Sequence, residues 1–252
     1  MSLDLLATLR REGDRLASMP VEALTAPVPT VPGWTLEHVV RHTGKVHRWA
    51  NAVILAGPGA DTGAVAKQQV ESLPKGPDSL PAYRSSLEAM VATFESTDPE
   101  AVVETFVGAR TAAWWLRRQA HEVAVHRIDA ADAVRAAGGV APEALDPDSA
   151  ADAVAELTEV QYPHRLLLDR LTPESIGRTV HVHGTDVDDL EWTFTLGADG
   201  LASARGHGKA DVALRGTAEH LLLVLCRRRP LDVLTVFGDT SVAESLLDAS
   251  RF

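Results

Sequence analysis

A glutamate and a histidine occur at metal-ligand spacing in the stretch His121-Glu122-Val123-Ala124-Val125-His126. The two histidines of this stretch are five positions apart, so in a helix they point about 140° apart, unlike the His-Glu-x-x-His motif of zinc proteases. Glu122 and His126 are four positions apart and lie about 40° apart on one helix face, which suits two ligands of a single ion. Asp129 continues this face. An isolated pair of this kind is also explained as an ordinary exposed contact within a helix.

A second group of histidines supplies candidates for a third ligand. His38, His42 and His47 lie in a predicted helix over residues 36–55, and metal sites in helical bundles take their ligands from facing helices. Apolar periodicity places His47 in the middle of the buried face, His42 at its edge and His38 further out. His42 and His47 both remain candidates, and an inward His47 is also explained as a core histidine with a hydrogen-bond partner.

The other reactive side chains are explained more simply by structure than by chemistry. The only cysteine, Cys226, adjoins the apolar run 221–225, which favours a buried structural thiol over a nucleophile. His181 and His183 share one strand face and would suit a metal as a pair, but solvated polar positions on an antiparallel sheet account for them more simply. The sequence has no phosphate-binding loop, no Gly-x-Ser-x-Gly elbow and no Gly-x-Gly-x-x-Gly after a predicted strand.

The composition is that of a globular protein of one large or two compact units. The chain has 252 residues, of which 45% are hydrophobic and 23% charged. Asp and Glu number 35 against 24 Lys and Arg, so the net charge is −11, and the only basic run is Arg227 to Arg229. Phosphate backbones and anionic lipid surfaces would repel such a chain, which argues against nucleic acid and membranes as partners.

Cysteine content and hydropathy indicate the compartment. One cysteine excludes an intramolecular disulfide, and the first 16 residues lack the apolar core and cleavage site of a signal peptide. No apolar run approaches the roughly 20 residues of a membrane helix. The sequence therefore predicts a protein of the reducing cytoplasm.

The candidate ligands must be positioned by helices. Helical periodicity predicts four long helices in the first half, over residues 3–18, 36–55, 79–94 and 111–137. Four such helices favour an antiparallel bundle. A fifth predicted helix over 147–171 leads into a region with strands near 178–183, 191–196, 210–215 and 233–237 and helices near 217–228 and 241–249. We therefore predict an α+β protein of two domains, a helical bundle over 1–139 and a smaller α+β domain over 146–252.

Three motifs resemble one known family. They are Gly33-Trp34-Thr35-Leu36-Glu37-His38-Val39-Val40-Arg41-His42, the stretch from Trp115 to Asp129 with Glu-x-x-x-His inside it, and Arg215-Gly216-Thr217-Ala218-Glu219-His220-Leu221-Leu222-Leu223. Together they resemble the mycothiol-dependent maleylpyruvate isomerase family, in which a DinB-like metal-binding helical bundle precedes a small α/β domain. The resemblance extends over nearly the whole chain in the same order.

The resemblance implies a set of site residues. The family's zinc ligands fall on His42, Glu122 and His126, so the resemblance selects His42 as the third ligand. Its acidic residue three positions after the second histidine falls on Asp129, which would orient a ligand or handle a proton.

A C-terminal arginine near the family's active site falls on Arg228. Arg227 and Arg229 adjoin it, whereas the family usually has glycine before a single key arginine. The resemblance implies that Arg228 would bind a carboxylate group of the substrate. The three consecutive arginines are also explained as the solvated end of a helix, where positive charges are favourable.

The resemblance implies a thiol-using metalloenzyme. Two imidazoles and one carboxylate leave an open position on Zn²⁺ or another divalent metal, where mycothiol would become a thiolate and attack an electrophilic small molecule, in an isomerisation or an S-transfer. The same ligands would also serve a non-haem Fe(II) enzyme. A non-catalytic metal- or thiol-binding stress or regulatory protein is the alternative of a different class.

Overall fold

The computed structural model describes residues 3–68, 70–140 and 143–250. The chain divides into two compact units, Met1–Glu143 and Ala144–Phe252. The first is helical and the second combines helices with a sheet, which confirms the predicted two-domain α+β class. None of the helices in the described ranges is both long and apolar enough to cross a membrane.

Four long helices form the first unit. They are α1 (Leu5–Ala17), α2 (Leu36–Ala56), α4 (Ser79–Ser96) and α5 (Ala112–Ala136). Both α1 and α2 pack against both α4 and α5, as in a four-helix bundle. Three short elements were not predicted from the sequence. They are the helix α3 (Thr62–Gln68) and the two-residue strands β1 (Val102–Val103) and β2 (Arg110–Thr111), which pair with each other.

Local chemistry sets the start and the end of α2, which carries one candidate ligand. The backbone N–H of Thr35 donates to the Nδ1 atom of His38 at 3.1 Å, and the Thr35 side chain completes a capping box. The helix ends at Gly57, whose φ of 76° is the left-handed conformation that glycine adopts without strain. Leu36, Val39 and Val40 then lie fully buried on one face of α2.

The helix that begins the second unit is interrupted. Helix α6 (Pro147–Glu156) is capped by Asp146 and continues into a π-helical turn, Leu157–Gln161, and a last short helix, α7 (Tyr162–Arg165). The predicted helix over 147–171 was therefore too long. The backbone N–H of Tyr162 donates to the carbonyl oxygen of Leu157 five residues back, and the next residue, Pro163, has no N–H to donate.

A five-stranded sheet forms the core of the second unit. Its strands lie in the order β5-β4-β3-β6-β7, and only β3 and β6 are parallel neighbours. The strands are β3 (Thr179–Gly184), β4 (Glu191–Gly197), β5 (Gly200–Arg205), β6 (Val212–Gly216) and β7 (Thr235–Gly238). Helices α8 (Ala218–Leu225) and α9 (Thr240–Ala249) pack against β3 and β6. Strand β5 was not predicted.

Candidate metal centre

Three side chains from two facing helices bring their donor atoms together in the first unit. His42 lies on α2, and Glu122 and His126 lie on α5. The Nε2 atoms of His42 and His126 each lie 3.2 Å from the Oε1 atom of Glu122. The three donor atoms all lie within 4.8 Å of one another. One carboxylate oxygen therefore faces both imidazoles.

These separations fit a transition-metal site. With metal–ligand bonds of about 2.0–2.1 Å, neighbouring ligand atoms of a tetrahedral zinc site are about 3.4 Å apart. The observed 3.2 Å between each histidine Nε2 atom and Glu122 is close to that value. Three protein ligands would leave a fourth position open, as in catalytic zinc sites. The side chain of His42 is 38% exposed and that of His126 only 10%, so solvent reaches the cluster at His42.

Asp129 holds His126 from the other side of its ring. Its Oδ2 atom accepts a hydrogen bond from the Nδ1 atom of His126 at 2.9 Å, and its side chain is fully buried. Because Asp129 holds one proton on Nδ1, Nε2 is the nitrogen that faces the cluster, and a metal ion would bind there in exchange for the Nε2 proton. Burial lowers the pKa of His126, but the hydrogen bonds to Asp129 and Glu122 outweigh burial and raise the pKa to about 9.

Arg118 lies one helical turn before Glu122 and forms an ion pair with it. The ion pair uses Oε2, so Oε1 is left facing the two histidines. Burial raises the pKa of Glu122, but Arg118 and the hydrogen bonds to both histidines together hold it well below its usual value. Glu122 is therefore a carboxylate at neutral pH.

Trp34 packs against both histidines of the cluster. Its ring stacks on that of His126 with centroids 6.0 Å apart and an interplanar angle of 17°, and its centroid lies 5.0 Å from that of His42. In the sequence, Trp34 stands out only as part of the motif Gly33 to His42, with no predicted role of its own. Its position directly before the N-cap residue Thr35 was the available signal.

The remaining histidines of α2 have structural roles. His47 is fully buried, and its Nδ1 atom lies 2.7 Å from Oε1 of Gln119. It is a core histidine, the alternative that periodicity left open. His38 caps α2 through Thr35. On α5, His121 is 2% exposed and is not part of the cluster.

The three consecutive arginines of the second unit differ in burial. Arg227 is exposed, has a φ of 61° and forms an ion pair of 2.9 Å with Asp248. Arg228 is 8% exposed, and its Nη1 atom donates to the carbonyl oxygen of Cys226 at 2.8 Å. Arg229 has intermediate exposure. Cys226 is itself buried, as predicted.

Comparison with known proteins relates the chain to characterised families. Residues 6–131 match the family described as "Mycothiol maleylpyruvate isomerase N-terminal domain", and residues 148–245 match "MDMPI C-terminal domain". A crystal structure of a mycothiol-dependent maleylpyruvate isomerase is similar, with 17% identity, a TM-score of 0.57 and 93% of each chain covered. The structure of a histidine-to-alanine mutant of such an isomerase has 16% identity, a TM-score of 0.58 and the same coverage. No curated protein gives a significant match.

Proposed function

The chain belongs to the mycothiol maleylpyruvate isomerase family, and from this premise we propose that it is a zinc-dependent enzyme in which mycothiol attacks an electrophilic small molecule. The reaction would be an isomerisation or an S-transfer. One observation carries the proposal. His42, Glu122 and His126, where the family resemblance implies the metal, have donor atoms within 4.8 Å of one another.

The donor set suits a metal that activates a thiol. Two neutral imidazoles and one carboxylate would leave a divalent zinc ion with a net positive charge and an open position. A bound ion of this kind supplies the Lewis acidity that lowers the pKa of a coordinating thiol. Glu122 contributes the negative charge, because Arg118 and the two histidines keep it ionised.

The surrounding side chains prepare the ligands. Asp129 accepts a hydrogen bond from Nδ1 of His126, which fixes the ring so that Nε2 faces the cluster, where a metal ion would replace its proton. Trp34 covers one side of both imidazoles and limits the access of water there. Asp129 is thus a positioning residue, and it acts through His126.

The thiol must come from a small molecule. Cys226 is the only cysteine of the chain and lies buried at the end of α8 in the second unit. A buried thiol of this kind is a poor nucleophile. The family's thiol, mycothiol, would therefore supply the sulfur atom.

Arg228 is proposed to bind a carboxylate of the substrate. It is the buried one of the three arginines, and its bond to the Cys226 carbonyl holds the guanidinium in place. A guanidinium binds a carboxylate through two parallel hydrogen bonds, which suits recognition of an organic acid. Maleylpyruvate, a dicarboxylate, is the first substrate to test.

The test combines metal analysis with thiol-dependent turnover. The purified protein should contain one zinc ion at this site and isomerise maleylpyruvate only when mycothiol is present. His42→Ala, Glu122→Gln and His126→Ala should each lose the metal and the turnover. His164→Ala is a matched control, because His164 is an exposed histidine of the second unit.

Each other outcome favours a different conclusion. Full metal content and activity in His42→Ala would refute the ligand assignment. Bound iron with oxygen consumption would identify a non-haem Fe(II) enzyme. Bound zinc without turnover of maleylpyruvate or of a panel of electrophiles, with any thiol, would identify the non-catalytic metal-binding alternative.

A further inference from the structure

A second cluster of histidines lies on the sheet of the second unit. His181 and His183 are on β3, Glu191 is on β4, and His207 follows β5. The sequence alone favours solvated polar positions for His181 and His183. For His181 that explanation is wrong, because this residue is only 4% exposed. A buried histidine among other titratable groups calls for a different account.

Strand register brings the cluster together. His183 and Glu191 are directly opposite each other in the antiparallel pair β3–β4, and the Nδ1 atom of His183 lies 2.5 Å from Oε1 of Glu191. The Nδ1 atom of His207 lies 3.3 Å from the same oxygen. The ring of His207 meets that of His181 edge-on, with centroids 5.4 Å apart. Donor atoms of His181, Glu191 and His207 all lie within 4.8 Å of one another.

The Nε2 atom of His181 is a candidate metal ligand. Within the part of the chain that the structure describes, its Nε2 atom is buried and has no hydrogen-bond partner. A buried polar atom without a partner costs free energy, and such atoms are rare in folded proteins. Coordination of a metal ion by Nε2 would remove that cost.

We propose that His181, Glu191 and His207 form a second metal site, which binds Zn²⁺ or a similar divalent transition-metal ion. Two imidazoles and one carboxylate are donors that zinc accepts, whereas Ca²⁺ and Mg²⁺ prefer all-oxygen sites. The 3.3 Å between His207 Nδ1 and Glu191 Oε1 is close to the ligand separation of about 3.4 Å in a tetrahedral zinc site.

Two further features fit this site. The side chain of His207 is 81% exposed, so water can complete the coordination. His183 is a positioning residue that holds the Glu191 carboxylate through its hydrogen bond. The ion would connect β3, β4 and the segment after β5, and it would stabilise the folded form of the sheet as any ligand of the native state does.

The experiment counts zinc ions per chain. The full-length protein is stripped with a chelator and titrated with Zn²⁺ against a chromophoric competitor, and bound zinc is counted by native mass spectrometry. We expect two zinc ions per chain. Glu191→Gln and His207→Ala should each bind one, with affinity at the altered site weakened about 100-fold or more, whereas His164→Ala should bind two. Circular dichroism checks the fold of each variant, and His207→Ala should keep the native spectrum because its side chain is exposed.

A reciprocal variant separates the two sites. The double variant His42→Ala/His126→Ala should keep one zinc ion, and this ion should be lost when His207→Ala is added. Retention of that ion in the triple variant would overturn the second site. The second site would also be overturned if the unmodified chain bound only one zinc ion and the double variant bound none. Failure of the first site alone would instead leave one ion that depends on His207. His183→Ala should keep both ions but weaken one of them about 10- to 100-fold, as loss of a ligand-orienting contact does.

Discussion

The Nδ1 atom of His126 lies 2.9 Å from the Oδ2 atom of Asp129, three residues further along the same helix. This contact sets the direction in which the His126 ring presents its other nitrogen. Because the Asp129 side chain is fully buried, no water competes for the bond. The contact links a residue that would bind the metal to one that would not.

Replacement of Asp129 by Asn should weaken zinc binding at the first site about 10- to 100-fold, the usual effect of losing a carboxylate behind a histidine ligand. The variant should keep its zinc stoichiometry, because all three ligands remain. Competitive zinc titration measures the affinity. Asp188→Asn, at an exposed position, is the control. Unchanged affinity in Asp129→Asn would show that the bond is structural only.

Trp34 should slow the release of the metal. Its ring stacks on His126 and contacts His42, so Trp34→Ala should open that side to water and chelator. We expect zinc transfer to excess chelator to be several-fold faster in Trp34→Ala and close to that of the unmodified protein in Trp34→Phe, which keeps a ring. Stopped-flow mixing with a chromophoric chelator measures both rates. Equal rates in Trp34→Ala and the unmodified protein would contradict the covering role.

Arg228 should affect the substrate and leave the metal in place. A hydrogen bond to a charged group contributes about 1.5–3 kcal/mol, so loss of the guanidinium in Arg228→Met should lower kcat/KM for a carboxylate substrate about 10- to 100-fold. Zinc content should stay the same. Steady-state kinetics with metal analysis tests this, and Arg227→Met is the control because Arg227 is exposed. An equal effect of both variants would assign the loss to general positive charge.

The sequence predicted the relative positions of the candidate residues best where helical geometry alone decides. The spacing of Glu122, His126 and Asp129 placed them on one face of a helix, and the structure has them there. Periodicity could not choose between His42 and His47, since both lie near the apolar face. The two histidines differ in their contacts with α5, because His42 contacts Glu122 whereas His47 contacts Gln119.

Features that depend on contacts distant in sequence escaped prediction. The approach of His207 to Glu191 depends on strand β5 and was not foreseen. Strand β5 itself has mostly small residues, four of its six positions are exposed, and its sequence lacks apolar alternation. It is a strand because its backbone pairs with β4, and its own side chains do not indicate a strand.

Burial of His47 should make stability depend on pH. Desolvation lowers the pKa of His47 from 6.5 to about 4, against the opposing hydrogen bond to Gln119. The unfolded chain therefore binds a proton below pH 6.5 that the folded chain does not accept until about pH 4. The contribution of His47 to stability is complete above pH 6.5 and declines as the pH falls to 4, in total by about 3 kcal/mol.

The variant His47→Asn should remove this dependence. The measurement is urea unfolding of the metal-free protein between pH 7 and 4.5. The free energy of unfolding should fall less steeply with decreasing pH in the variant. The two slopes should differ by up to about 1.4 kcal/mol per pH unit, which corresponds to one proton. Comparison of slopes is informative even though the variant loses stability at every pH from the smaller side chain. His126, whose pKa is raised to about 9, acts in a separate window above pH 6.5, so it leaves the slope between 6.5 and 4 unchanged. Parallel slopes in the two proteins would mean that His47 takes up its proton in the folded state as readily as in the unfolded chain.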